Sequence, residues 1–432
     1  MTSYWAPYAW LPDGLGRDVT LEVADGRFTR VAAGTPAGGS VRLAGVVLPG
    51  FADGHSHAFH RALRGRVGGS NFWSWREGMY AVADRLDPDS YLALARATYA
   101  ELVLAGVTAV GEFHYLHHGP RGVPYAEPNA MGAALQQAAA EAGLRLTLLD
   151  TCYLAGGLSA DGYLPLSGVQ MRFGDASVDA WAARVAAFPL ASGLRVGPAV
   201  HSVRAVPAAA LSTVASVGGP LHVHLSEQQA ENSACLAYHG YSPTSLLDEY
   251  GVLSARTTAV HATHLTPSDV SILARTRTGV CFCPSTEADL ADGIGPAAKL
   301  RDAGMRLGLG HDEHVAADLL AEARDLELHQ RLATGRRGVF TPAQLVAALT
   351  DHVALGWSDA GRLRVGARAD LVAVALDSPQ TAGIDPAQVV LAAGTSDIRT
   401  VMVDGQVVVQ DGQHRLGDIG ALLGAAIDPL WT

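Results

Sequence analysis

Short apolar runs alternate along the chain with longer amphipathic stretches. Runs at 46–51, 107–113, 144–151, 194–201, 221–225, 257–262, 278–283 and 305–310 read as eight strands. Ala-rich stretches such as 91–104 and 129–142 separate them and carry apolar residues at three- and four-residue spacing, which predicts helices. Eight such alternations predict an α/β fold, a (β/α)8 TIM-type barrel. Residues 156–180 are Gly-rich and read as an active-site loop or lid. The two ends differ from the middle. Residues 18–44 and 365–413 read as short strands with turns, and Asp404-Gly405 between valine-rich runs is a hairpin signal. The expected division is a composite small β-sandwich domain, 1–48 plus 363–432, beside a barrel at 49–362.

Composition narrows the function. Of 432 residues, 49% are hydrophobic and 17% charged, enough for a large core. A net charge of −11 with no basic run argues against nucleic acid, whose binding needs clustered Lys or Arg. No apolar stretch reaches about 18 residues, so no membrane span is expected. Met1 to Trp10 lacks the pattern of a signal peptide. Cys152, Cys235, Cys281 and Cys283 are too scattered for a disulfide framework, and a cytoplasmic protein is expected. Lys299 is the one lysine, so lysine chemistry elsewhere is excluded.

The informative polar residues follow the strands, at the barrel end where active sites form. His55 and His57 are two residues apart, so in an extended segment both imidazoles face one way. His222 and His224 end the fifth strand, His261 and His264 the sixth, and His311, Asp312 and His314 the eighth. Imidazoles plus a carboxylate, with one position left to water, make a catalytic divalent site of the zinc type. His224 is preferred to His222, because Glu227 lies three residues on. His264, His311 and His314 are expected in supporting roles, and His114, His117 and His118 in a polar loop.

These motifs resemble the amidohydrolase superfamily over nearly the whole chain, from LPGFADGHSH (48–57) through HLSE (224–227) and VHATHL (260–265) to GARADLV (366–372). Longer segments resemble its N-formimino-L-glutamate iminohydrolase (formimidoylglutamate deiminase) family: HSHAFHRALRG (55–65), FWSWREGMY (72–80), GEFHYLHH (111–118), HSVRAV (201–206), HVHLSEQ (222–228) and CPSTEADLADGIGP (283–296). The resemblance implies one divalent metal per chain, usually zinc, held by His55, His57, His224 and Asp312. It places His261 beside the metal water and makes Glu227 the proton shuttle. It also implies a homodimer. Binuclear relatives bridge two metals with a carbamylated lysine after the fourth strand; here that strand ends at His201, and Lys299 lies far along the chain.

The implied reaction is hydrolysis of N-formimino-L-glutamate to N-formyl-L-glutamate and ammonia, by metal-activated water. Catalysis would rest on Glu227, His261 and Asp312. The small dicarboxylate substrate needs cations, so Arg76 and Arg204 are expected to clamp it, with Tyr115, His201 and His60 beside them. The chain departs from the family pattern at His60, usually Gln, and at His311 and Glu313, which replace Ser on either side of the Asp. Glu313 is expected to point away from the site or to pair with an arginine. The rival readings are deamination of guanine or another aminated heterocycle, and a non-catalytic binding barrel. Cys281 and Cys283 read as buried thiols. Trp73 and Trp75 either line the pocket or pack the loop.

Overall fold

The computed structural model describes residues 1–67 and 72–432, side chains at 72–74 excepted. Eight parallel strands close into a barrel in chain order: β1 (Phe51–Ser56), β2 (Val107–His114), β3 (Arg145–Cys152), β4 (Leu194–Val200), β5 (Leu221–Leu225), β6 (Thr257–His261), β7 (Gly279–Phe282) and β8 (Leu307–Leu309). Leu309 pairs with Asp53 to shut the ring. The strands are mostly apolar and mostly buried, as a helix-wrapped parallel sheet requires. Helices Pro88–Leu104 and Ala130–Ala142 are among those that wrap it. The first starts at a reciprocal cap between Asp87 and Ser90 with proline in its first turn.

Both chain ends contribute to one nine-stranded sheet. The apolar run at 46–51 is divided between the two units. Val46–Pro49 joins this sheet, antiparallel to Leu371–Val374, and the barrel begins only at Phe51. An unbroken apolar run carries no mark of where one sheet hands over to the next. Gly50 makes the passage, since a Cβ there would meet the Thr108 side chain at 2.5 Å. The sheet also starts earlier than the pattern suggests, at Thr2–Leu11. Pro7 disguises that strand; it is skipped in the pairing register, because it has no N–H to give. The hairpin at Asp404-Gly405 forms as expected, with both residues at positive φ (47° and 77°). Past it, Ile419–Ile427 is a helix capped by Asp418.

Barrel and sheet are joined by buried charge. Arg145 at the start of β3 donates to both carboxylate oxygens of Asp370 and reaches Asp404 at 3.1 Å. The segment at 156–180 holds a small hairpin, Gly157–Ser159 with Gly162–Leu164, rather than an open loop. It is tied down by the buried Arg172, which donates to the carbonyls of Ala83, Leu86 and His118. Helix Val178–Ala186 starts two residues before that segment's expected end. Among the described residues, no helix is long and apolar enough to cross a membrane.

Candidate metal centre and active site

The C-terminal ends of β1, β5 and β8 bring His55, His57, His224 and Asp312 together, all buried, with ligand atoms within 4.8 Å of one another. His55 Nε2 lies 3.0 Å from His224 Nε2 and 3.2 Å from Asp312 Oδ1. His57 Nε2 is 3.3 Å from the same oxygen. Two tautomers are set by carbonyls. His57 Nδ1 donates to Phe113 O at 2.8 Å and His224 Nδ1 to His201 O at 2.9 Å, so each presents an Nε2 lone pair inward. Burial pushes His55 down to about 3 and His224 well below the ordinary range, so these imidazoles are neutral. Burial alone would raise the Asp312 carboxyl; its close contacts with the His55 and His57 rings outweigh it and hold the group well below the usual range. Neutral imidazoles and an ionised carboxylate converging on one point are the donor set a divalent cation requires. The residues therefore fit a metal, and this is the one such group among the described residues.

The strand ends are bent to reach this point. Ser226, His261, Asp312 and His314 all take positive φ (50°, 67°, 45° and 60°), which non-glycine residues avoid unless their surroundings enforce it. Gly310 permits the approach of β8 to β1. Its Cβ position lies 2.7 Å from His55 O, and that carbonyl accepts from the N–H of both His311 and Asp312.

His261 faces the group from β6. Its Nε2 is 3.7 Å from Asp312 Oδ2 and 3.8 Å from Glu227 Oε1, and its Nδ1 is 3.5 Å from Glu287 Oε1. Burial would lower its pKa, but the three carboxylates prevail and push it well above the ordinary histidine value. Glu227, on the turn after β5, lines the cavity with Asp312.

Two joined cavities lead to these groups. The inner one, about 80 Å³, is lined by His57, His60, Trp75, Arg76, Tyr115, His201, Arg204, His224, Glu227 and Asp312, among others. The outer one, about 300 Å³, shares Arg76, Tyr153, His201 and Arg204 with it and is walled by Leu158 and Leu164 of the small hairpin. His60 Nε2 lies 2.7 Å from the Tyr115 hydroxyl. His201 Nδ1 is 3.1 Å from Ser202 Oγ. Arg76 stacks over Tyr80 at 5.5 Å. Arg204 is already engaged: its Nε donates to Glu231 Oε2 at 2.7 Å and an outer nitrogen reaches Glu227 Oε2 at 3.5 Å. The side chain of Trp73 lies outside the described residues.

The remaining residues named from the sequence take various places. His222 points away, its Nε2 3.0 Å from Ala354 O. His311 bonds Asp53 at 2.8 Å, and His314 bonds Ser56 at 3.0 Å. His114, His117 and His118 do not form a polar loop. All three are buried, with His117 on Thr151 O and His118 on Asp175, in a network where Arg184 bridges Asp150 and Asp175. No arginine bond to Glu313 is seen among the described residues. Glu313 is buried, and burial together with the negative charge of Asp312, Asp289 and Asp292 pushes its carboxyl up to about 10. It is therefore a neutral acid at pH 7 and puts no charge beside the site. All four cysteines are free and buried.

Two carboxyl groups escaped the sequence reading. Glu287 backs His261, and Glu112 accepts from Ser56 Oγ at 3.1 Å and from the Ala58 N–H at 2.8 Å. Burial raises Glu112 to about 7. Both stand in the family-matching segments GEFHYLHH and CPSTEADLADGIGP, the only signal that could have marked them.

Residues 46–408 match the model of the amidohydrolase family. The chain is similar to a formimidoylglutamate deiminase of Pseudomonas aeruginosa, 38% identical with 96% of each chain covered. It is also similar to an 8-oxoguanine deaminase of the same species, 31% identical over 88% of this chain and 85% of that one. A solved amidohydrolase from Brucella melitensis superposes over the full length of both chains with a TM-score of 0.91 at 32% identity.

Proposed function

The chain belongs to the amidohydrolase family and is a hydrolase of C–N bonds other than peptide bonds, and from that premise we propose that it deiminates N-formimino-L-glutamate, releasing N-formyl-L-glutamate and ammonia. The observation that carries this reading is the pair of arginines, Arg76 and Arg204, at the junction of a small inner cavity and a larger outer one. A formimino group is small enough for the inner space beside Glu227 and Asp312. The carboxylates of the substrate then lie at the arginines, whose planar forks suit them. A flat bicyclic purine would need the wider space beside the reacting groups.

A divalent cation on His55, His57, His224 and Asp312, which we take to be zinc, would supply Lewis-acid activation of water. The residues do the rest. Asp312 Oδ2 and the His261 imidazolium orient the attacking water, and Asp312 Oδ2 takes its proton. Oxygen adds to the formimino carbon, and the C=N bond becomes a C–NH2 bond. The formimino group enters protonated, so addition leaves it as NH2. Amide ion is a poor leaving group, so Glu227 takes the hydroxyl proton of the adduct and delivers it to that nitrogen. Ammonia departs as the C=O bond forms, while the proton on Asp312 passes to solvent. Arg204 holds Glu227 in place through its outer nitrogen, and Glu231 fixes Arg204 in turn. The family resemblance supports a homodimer and a cytoplasmic location as parts of the same reading.

Parallel turnover assays test this. Ammonia release from N-formimino-L-glutamate should exceed that from guanine or 8-oxoguanine by orders of magnitude in kcat/KM. Faster release from either purine would overturn the substrate assignment.

A further inference from the structure

We propose that Glu112 is a positioning residue that fixes the His55-Ser56-His57 segment for metal binding; the inference rests on the metal reading above. Nothing in the reaction uses this carboxyl, which is fully buried in β2 and does not line either cavity. Its two oxygens take hydrogen bonds from either side of His57: Ser56 Oγ at 3.1 Å and the Ala58 N–H at 2.8 Å. The next residue, Phe113, offers the carbonyl that holds His57 Nδ1 at 2.8 Å. Two consecutive residues of β2 thus fix the backbone and the ring of one metal histidine.

The help is needed because the backbone ladder is irregular here. Pairing between β1 and β2 shifts register between Asp53 and Ser56, and resumes with Ser56 opposite Glu112. His55 lies in the shifted stretch. Ser56 also reaches across the barrel seam, its Oγ 3.0 Å from His314 Nε2, two residues beyond Asp312. The chain Glu112–Ser56–His314 therefore couples the ligand segment of β1 to that of β8. Metal ligands must be held to within about 0.5 Å for tight binding. Without Glu112, Ala58 N–H and Ser56 Oγ lose their acceptor in a dry interior, and the segment is free to shift.

Zinc affinity by chelator competition tests the proposal, on wild-type protein and on Glu112→Leu, Glu112→Gln and Ser56→Ala. Loss of a group supporting a ligand lowers metal affinity by about 10–100-fold, the range expected for Glu112→Leu. Glu112→Gln keeps an acceptor for Ala58 N–H, and its amide N–H can donate to Ser56 Oγ once the Ser56 O–H turns to His314 Nε2, so it should restore most of the affinity. At saturating zinc, Glu112→Leu should lower kcat and leave KM for N-formimino-L-glutamate within about twofold, since the substrate pocket is untouched. Wild-type affinity in Glu112→Leu would overturn the proposal. So would equal weakening in the Gln and Leu variants together with an equal fall in Tm of the metal-free proteins. If Glu112→Leu does not fold, Ser56→Ala carries the test, and unchanged zinc affinity there would count against it. Wild-type protein that bound no divalent ion would instead defeat the metal reading, and the inference with it.

Discussion

Exchanging one oxygen of Glu227 for an amide nitrogen removes a proton carrier and leaves the shape of the site. Glu227→Gln should lower kcat by about 10²–10⁴-fold while the protein keeps its metal, as steady-state kinetics with metal analysis would show. Near-normal turnover would remove Glu227 from the mechanism. Arg204, beside Glu227, is placed to bind the substrate's carboxylates. Removing a charge-assisted contact costs about 1.5–3 kcal/mol, so Arg204→Ala should raise KM roughly 10-fold or more. Its bond to Glu231 adds a second effect, because the variant leaves that buried carboxylate without its cation. The cluster of His55, His57, His224 and Asp312 was legible mainly through the family-matching motifs, with HxH spacing aiming two rings one way and polar residues at the other strand ends pointing to the same place. Glu112 was not legible as a support. Its contacts, Ser56 and Ala58, are more than fifty residues away, and no local spacing marks them. Nor could the neutrality of Glu313 be read, since it arises chiefly from burial, with Asp289 and Asp292 brought beside it by the fold.

The strands themselves were well marked by apolar runs and the long helices by three- and four-residue spacing. Their ends were less so. The division of the run at 46–51 depends on a glycine passage, and the strand at Thr2–Leu11 is masked by its proline. The histidines at and after the end of β2 misled as well, because their burial is set by distant chain: His117 bonds Thr151 O of β3, and His118 bonds Asp175, just before helix Val178–Ala186. That network anchors the segment carrying the small hairpin. Arg184 binds Asp150 at 2.7 and 2.9 Å and Asp175 at 2.9 Å, all nearly excluded from solvent. Breaking such a buried pair from one side costs about 3–5 kcal/mol, so Arg184→Ala should lower unfolding stability by that order in a urea titration. A loss below about 1 kcal/mol would mean that water reaches the network.

At the scale of the whole molecule, barrel and terminal sheet share the Arg145–Asp370 pair. Burial by itself would raise the Asp370 carboxyl, but Arg145 overrides it and holds the group below its ordinary value. Asp175 is likewise depressed: against the effect of burial, its hydrogen bonds to His118 and Arg184 hold it down. A carboxyl whose folded pKa is depressed stabilises the fold above its unfolded pKa of about 3.9, and that stability drains as pH falls toward the folded value. Tm should therefore hold near pH 6 and fall steeply below about pH 4. In Arg145→Leu the fall should be shallower, because Asp370 then titrates higher. An unchanged slope would show that the pair does not govern acid stability.

The most direct measurement follows the oxygen. N-formimino-L-glutamate turned over in ¹⁸O-water by metal-loaded protein should give N-formyl-L-glutamate carrying one ¹⁸O, with one ammonia per product. Glutamate and formamide, or no product from protein that holds its metal, would contradict deimination at this site.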